Sequence, residues 1–265
     1  MKPRLSLPLV LAAGAAAITH AGAADLPPRL PPPAVTPLTD VEYRITPFFW
    51  MAGLNGEIGT RRNLPSVDVD VKFGDILRNL DFAAMLAGEY RNGRWGLLAD
   101  LAYVAVTVDG ARDVTPRAPG FTSATLTSRT LNATLTGFYR FYDQGAFTAD
   151  ALLGARLWSV SSDVDLLLGG VVAVSTGSER TWIDPVVGIR FHAELGNGFG
   201  LSGYGDIGAG SSQVTWQLRG TLDYAFNRNW SAHVGYRHLA VDYKRGGYVF
   251  DASMSGPIAG VSYRF

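Results

Sequence analysis

The sequence predicts an all-β fold: a transmembrane antiparallel up-and-down β-barrel, of ten strands as the best fit and eight if one hairpin stays outside the bilayer. Three observations carry this expectation. From residue 42 to 265, segment after segment alternates apolar and polar with period two, the repeat that sends successive side chains to opposite faces of a strand. These segments run for about ten residues or more, the length a tilted strand needs to cross a bilayer. Aromatic residues gather beside the tight turns, where a bilayer interface would lie. Composition agrees. Charged residues make up 17% of the 265, below the ordinary soluble share of about 25%, and no stretch after residue 23 is apolar for 18 residues together.

The chain opens on an address. Residues 1–23 have the three parts of a secretory signal peptide: Lys2 and Arg4, then an apolar run from Leu5 to Ile18, then the small-x-small site Ala21-Gly22-Ala23. Residues 24–41 form a linker in which residues 25–40 carry six of the 14 prolines, a composition that favours an extended spacer over a ladder or a helix. Residues 42–265 are the barrel.

The alternation shows which face is which. In Ile183 to Leu195, Ile183, Val187, Ile189, Phe191 and Leu195 oppose Asp184, Arg190, His192 and Glu194. In Thr215 to Phe226, Trp216, Leu218, Leu222, Tyr224 and Phe226 oppose Gln217, Arg219, Thr221 and Asp223. Residues 130–141 and 147–157 separate in the same way, with Leu135 and Leu153 on the apolar side and Arg140, Asp150, Gly154 and Arg156 on the polar one. A soluble sandwich hides its apolar face in a core. Long strands with aromatics at their turn ends favour the reverse, apolar outside and polar inside. Gly154 and Gln217, as inward positions, are expected to accept polar replacements.

Strand number follows from the turns. Asn92-Gly93, Asp143-Gln144-Gly145, Gly196-Asn197-Gly198 and Asn227-Arg228-Asn229 are hairpin turns, since Gly and Asn accept positive φ. Each joins two strands, and the first and last strands complete ten. The longer connections, 60–79, 110–122, about 164–179, 210–213 and 245–248, then lie on the opposite, extracellular side.

The final residues place Val261, Tyr263 and Phe265 on one face. This ending resembles the C-terminal assembly signal of Gram-negative outer-membrane β-barrels, read by the barrel assembly machinery. Residues 73–104, 182–191 and 230–243 resemble a family of small, porin-like, mostly uncharacterised outer-membrane barrel proteins. The resemblance implies a bacterial outer-membrane location, with outer-membrane lipid and lipopolysaccharide and the assembly machinery as partners. It brings no catalytic motif. His238 stands where an aromatic residue is expected.

Candidate chemistry is sparse. Balanced charge, 23 basic against 23 acidic residues, gives no footprint for nucleic acid, and the absence of cysteine removes thiol chemistry. Gly203-Tyr-Gly205-Asp-Ile-Gly208 has dinucleotide-loop spacing but sits inside an alternating strand, so no cofactor is expected. Asp68, Asp70 and Asp75 lack Ca²⁺-loop spacing, so no metal is expected. The apolar stretch Leu166 to Val174 around Gly169-Gly170 reads as a hairpin tip, with an adhesive loop as the sharper alternative. His192, His233 and His238 have no serine marked out beside them, and the expectation is that the chain is not an enzyme.

The candidate site is therefore the lumen. Asp100, Asp150, Asp184 and Asp223 on the inward faces are expected to pair with Arg156, Arg190, Arg219 and Arg237, with Glu89, Asp206, Asp242 and Arg140 on the same faces. A narrow interior makes unpaired charge expensive, so the expected outcome is a plugged barrel with a structural or narrow porin-like role. The alternative is a surface interaction protein acting through its extracellular loops.

Overall fold

The computed structural model describes residues 41–59, 67–109, 123–168 and 171–265. The expected signal peptide, 1–23, and the expected linker as far as residue 40 lie outside the described residues, as do 60–66, 110–122 and 169–170, while the linker's last expected residue, Val41, already belongs to the first strand. The strands in chain order are β1 Val41–Trp50, β2 Gly53–Gly59, β3 Val67–Val71, β4 Leu80–Asn92, β5 Trp95–Asp109, β6 Ser123–Gln144, β7 Phe147–Leu168, β8 Val171–Gly196, β9 Phe199–Gly208, β10 Val214–Ala225, β11 Trp230–Arg245 and β12 Tyr248–Arg264. A single turn of helix, α1, spans Phe73–Arg78.

Ten of these strands close an antiparallel ring, β1 followed by β4 through β12 and back to β1. Closure pairs Ile45 with Tyr263 and Phe49 with Ala259, and Tyr43 and Phe265 exchange backbone hydrogen bonds of 3.1 and 3.0 Å. Lipid supplies no hydrogen-bonding partner, so a spanning sheet must close. β2 continues β1 upward along β12, with Gly53 opposite Ser255 just above Trp50 opposite Ile258. β3 pairs with β2, and the two stand outside the ring on the extracellular side.

The four short turns fall where the sequence places them. Gly93 and Gly145 take φ of 58° and 52°, which L side chains adopt only at a cost, and Asn197 takes 54°. At the fourth turn the Asn227 side-chain oxygen accepts from the backbone N–H groups of Asn229 and Trp230, both at 2.9 Å. Just inside these turns the aromatics form a girdle on the outer wall. Trp230, Tyr263, Phe265, Tyr43 and Tyr90 follow one another at centroid spacings of 4.8, 5.8, 5.6 and 5.2 Å, and Trp95–Tyr139, Phe147–Phe191 and Phe199–Tyr224 continue it. Above the girdle the wall is apolar and exposed, at Leu153, Ile189, Leu218, Val187 and Leu135.

The apolar belt has a clear upper edge on β6–β8. The rung Leu135, Ala155, Pro185 is apolar, Leu131, Ser159, Thr181 is mixed, and Arg129, Ser161, Glu179 is polar. Yet β6, β7 and β8 run for 22, 22 and 26 residues, so they continue well beyond the membrane.

One reading of a single position changes, and one gains its steric reason. Gly154 cannot accept a polar side chain, because a Cβ there would collide with the carbonyl oxygen of Leu135 on β6. The G-x-G-x-x-G spacing is steric: side chains at Gly203 would collide with the Phe191 ring, which lies across it on the outer wall. Leu153, 70% exposed, tests the orientation of the wall. Leu153→Arg is expected to cost about 2–4 kcal/mol in denaturant titrations of protein folded into liposomes. Gly154→Ser is expected to destabilise as well, and stability equal to wild type in either variant would contradict the assigned faces.

Candidate functional site

The inward faces converge on a lumen arranged in tiers. Nearest the periplasm, Glu42 accepts from Arg91 at 2.7 Å and Arg44 at 3.1 Å, with Arg264 at 3.7 Å. Above it, Arg190 grips Glu89 in a two-bond fork of 2.8 and 3.1 Å and also donates to Asp150 at 2.6 Å, whose other oxygen takes Arg140 at 2.9 Å. The guanidinium of Arg190 lies 4.6 Å above the Phe138 ring, a cation–π contact across the interior.

The next tier is largely enclosed. Arg237, with no exposed surface, donates to Asp100 at 2.9 Å and to Gln217 at 2.8 Å, while Arg219 reaches the same Asp100 at 3.3 Å. Arg156, equally enclosed, donates to Asp206 at 2.6 Å, Thr134 at 3.0 Å and Thr215 at 3.1 Å, and the Tyr204 hydroxyl donates to Asp206 at 2.6 Å. Multiple donors per carboxylate are what a buried ion pair requires. The void beside Asp100, Tyr204 and Arg219 measures about 10 Å³, room for roughly one water.

Asp184 departs from the expected pairing. It faces Arg156 across the β7–β8 ladder, yet its two oxygens accept from the backbone N–H and hydroxyl of Ser212, at 2.7 and 2.6 Å, and so hold the short β9–β10 connection. Asp223 also stands apart from the arginines. It accepts from Ser202 and Thr221, and Ser202 lies 2.9 Å from His192 Nδ1. His192 Nδ1 and Asp223 are 3.5 Å apart, at the periplasmic mouth. Asp242 departs from its expected inward face. Asp242 belongs to the outer wall, paired with Lys244, because β11 turns Arg237, Leu239, Val241 and Tyr243 inward. His238 is also on the outer wall, 4.5 Å from the Trp216 ring and 2.5 Å from the Ser255 hydroxyl. It occupies the expected aromatic's place by stacking as one.

The upper lumen is the largest surprise. There the polar interior gives way to a packed aromatic cluster: Trp50, Trp158, Trp182, Tyr243, Tyr248 and Phe250, with Phe48, Leu239, Val241 and Ile258. Trp182 stacks on Tyr243 at 4.2 Å and on Trp158 at 6.0 Å, and its indole N–H donates to Ser212 at 2.8 Å. Arg237 joins the two regimes, its guanidinium 4.6 Å from the Trp50 ring while it pairs with Asp100. The signal was present in the parity. Arg156 to Trp158 to Val160, and Arg237 to Leu239 to Val241, are each steps of two along an inward face.

The enclosed pairs make a sharp energetic prediction. Arg156→Met leaves Asp206 buried with no cation and is expected to cost about 3–5 kcal/mol in denaturant titrations. Adding Asp206→Asn, which still accepts from Tyr204, is expected to recover most of that loss; a double variant no better than the single one would contradict the pairing.

No protein-family model matches the chain, and no curated protein matches it in sequence. Among solved structures that align with the chain, the first below shares its fold. The outer membrane protease OmpT of Escherichia coli aligns with a TM-score of 0.56 at 10% identity, over 86% of this chain and 98% of its own. The translocator domain of the autotransporter NalP from Neisseria meningitidis gives 0.42 at 12% identity, over 84% and 88%. The attachment invasion locus protein Ail of Yersinia pestis gives 0.39 at 11% identity, over 85% and 98%.

The expectation that the chain is not an enzyme is overturned. The fold it shares with the first of these structures is one that carries a protease, and His192, read as lacking a serine, has Ser202 and Asp223 beside it. A barrel wall brings strand neighbours together that sequence separation hides. With its closed ladder, lipid-facing belt and aromatic girdle, the chain is a ten-stranded β-barrel protein of the Gram-negative outer membrane.

Proposed function

We propose that this barrel does not conduct ions and that its biological role is carried by the strands it raises above the membrane. The observation behind this reading is a lumen filled at two heights by groups with no exposed surface, Arg156, Arg237 and Asp184 below and Trp158 and Leu239 above. A conducting pore needs a continuous wet path, and a charge-selective one a ring of one sign. Here the acidic tiers at Glu42, Glu89 with Asp150, and Asp100 with Asp206 all meet arginine, and the aromatic tier packs above them. The interior serves as a core and stiffens the platform.

What that platform presents is the extension of β6, β7 and β8, which exceed the roughly 9–11 residues a membrane strand needs. Its outward rungs are hydroxyl-rich and charged, with Arg129 paired to Asp163 at 3.3 Å and Glu179 exposed. A tall, polar, ladder-stabilised sheet suits recognition of a partner outside the cell. Assembly of the platform uses the C-terminal face of Val261, Tyr263 and Phe265, all exposed on the outer wall beside the closing strand, as the signal for the barrel assembly machinery.

Planar-bilayer recording of the refolded mature protein tests the sealed lumen, and no stable conductance is expected. Arg156→Ala alone should stay closed because the aromatic tier remains, whereas Arg156→Ala combined with Trp158→Ala and Trp182→Ala should open a channel. Large, salt-scaled conductance in the wild type would refute the reading. Deleting Phe265 is expected to lower the heat-modifiable, membrane-embedded form without altering export; equal assembly would remove the C-terminal role.

A further inference from the structure

On the extracellular side the ladder loses a partner. β8 runs from Val171 to Gly196, but β9 ends at Gly208, which lies opposite Val186. The β9–β10 connection covers the next step, through Ser212 on Asp184. Above that point β8 pairs with β7 alone among the described residues. The next strand round the ring to rise as far is β11, whose partner β10 begins only at Val214, opposite Asp242. Side chains close the space behind. Trp182 stacks on Tyr243 at 4.2 Å, and the Arg180 guanidinium lies 5.6 Å from the Tyr248 ring. The lumen is sealed there, while the backbone edge of β8 has no strand beside it.

Parity decides which groups this edge offers. The N–H and C=O of one strand residue point to the same side, and successive residues alternate. A side chain at Gly208 would meet the Pro185 carbonyl oxygen, so the odd-numbered residues of β8 aim their backbone groups toward β9. Ser175, Gly177, Glu179 and Thr181 therefore direct N–H and C=O groups past the end of β9, and all four are exposed. The Glu179 carbonyl accepts from the Arg180 side chain at 2.8 Å, a contact that one side-chain rotation releases. Such an edge is a template for another strand. It starts at the mixed rung of Thr181 and rises into the polar one of Glu179, so what meets it comes from the aqueous side and not from lipid.

We propose that the edge of β8 from Ser175 to Thr181 is a strand-addition site, which takes an extended, proline-free segment of an extracellular protein with a basic residue opposite Glu179. Main-chain bonds to the odd-numbered residues hold the segment, and proline is excluded because it brings no N–H. Glu179 sets the charge, since its exposed carboxylate faces outward with no ion pair among the described residues, and opposite charges across a ladder attract. The inference rests on reading the raised strands as the recognition element, and assigns the contact to their edge instead of their face.

Residue-resolved hydrogen exchange of the refolded barrel in micelles tests this, with a synthetic peptide of alternating Thr and Val and one central Lys as the probe. In the free protein the amides of Ser175, Gly177, Glu179 and Thr181 are expected to exchange at least roughly tenfold faster than those of Ser178 and Trp182, which bond to β7. The peptide should slow the fast set, and the same peptide N-methylated at alternate residues should not. Replacing its Lys by Glu should weaken binding roughly tenfold, and Glu179→Lys in the barrel should reverse that preference, with folding checked by heat-modifiable mobility. Odd-numbered amides already slow in the free protein, slow only at concentrations where two copies associate, or unmoved by either peptide would overturn the proposal. Slowing that survives N-methylation would overturn the edge and leave the raised strands as a recognition face. Failure of the sealed-lumen reading shows separately, as conductance.

Discussion

Closure of β1 on β12 is the constraint from which the other features follow. A sheet in hydrocarbon has no water for its edges, so the first and last strands must pair, and Tyr43 and Phe265 do so through both backbone bonds. Once the ladder closes, the two-residue period leaves each side chain one of two destinations, lipid or lumen. Leu153 and Leu218 on one parity, and Arg156 and Gln217 on the other, are consequences of that single condition.

A ring of ten strands encloses little space, and this narrowness governs the interior. Side chains from opposite walls meet, as Arg190 does with Glu89 over 101 residues of sequence and Arg237 with Asp100 over 137. Charges there have to find partners, and each carboxylate in the middle tier takes more than one donor. Higher up, the same shortage of space is met by aromatic packing. The two solutions share a boundary at Arg237, which pairs with Asp100 while lying against Trp50.

The wall also shows how strand registration assembles groups that sequence cannot. His192, Ser202 and Asp223 come from three strands and share one end of the barrel; Asp242, Asp251 and Glu57 come from three others and share one outward rung. The likeness to an outer-membrane protease, at 10% identity, is one of fold alone.

Much of the architecture was legible in the sequence because it rests on local rules. Period-two alternation marked the faces, Asn and Gly marked the four turns through their tolerance of positive φ, and the aromatics beside those turns marked the girdle. The inward positions of Asp100, Asp150, Arg156, Arg190, Arg219 and Arg237 followed from parity alone. Partner choice did not. Asp184 turned to Ser212 instead of Arg156, Gly154 met the Leu135 carbonyl, and Asp242 faced outward, because each outcome depends on which strand lies alongside and at what offset. The aromatic upper lumen was hidden for a related reason: Trp158 and Trp182 look like breaks in a polar face until closure shows that the face has become a core. Period and turn chemistry are properties of a short stretch of chain, whereas pairing across the lumen and between neighbouring strands exists only after the ring has closed.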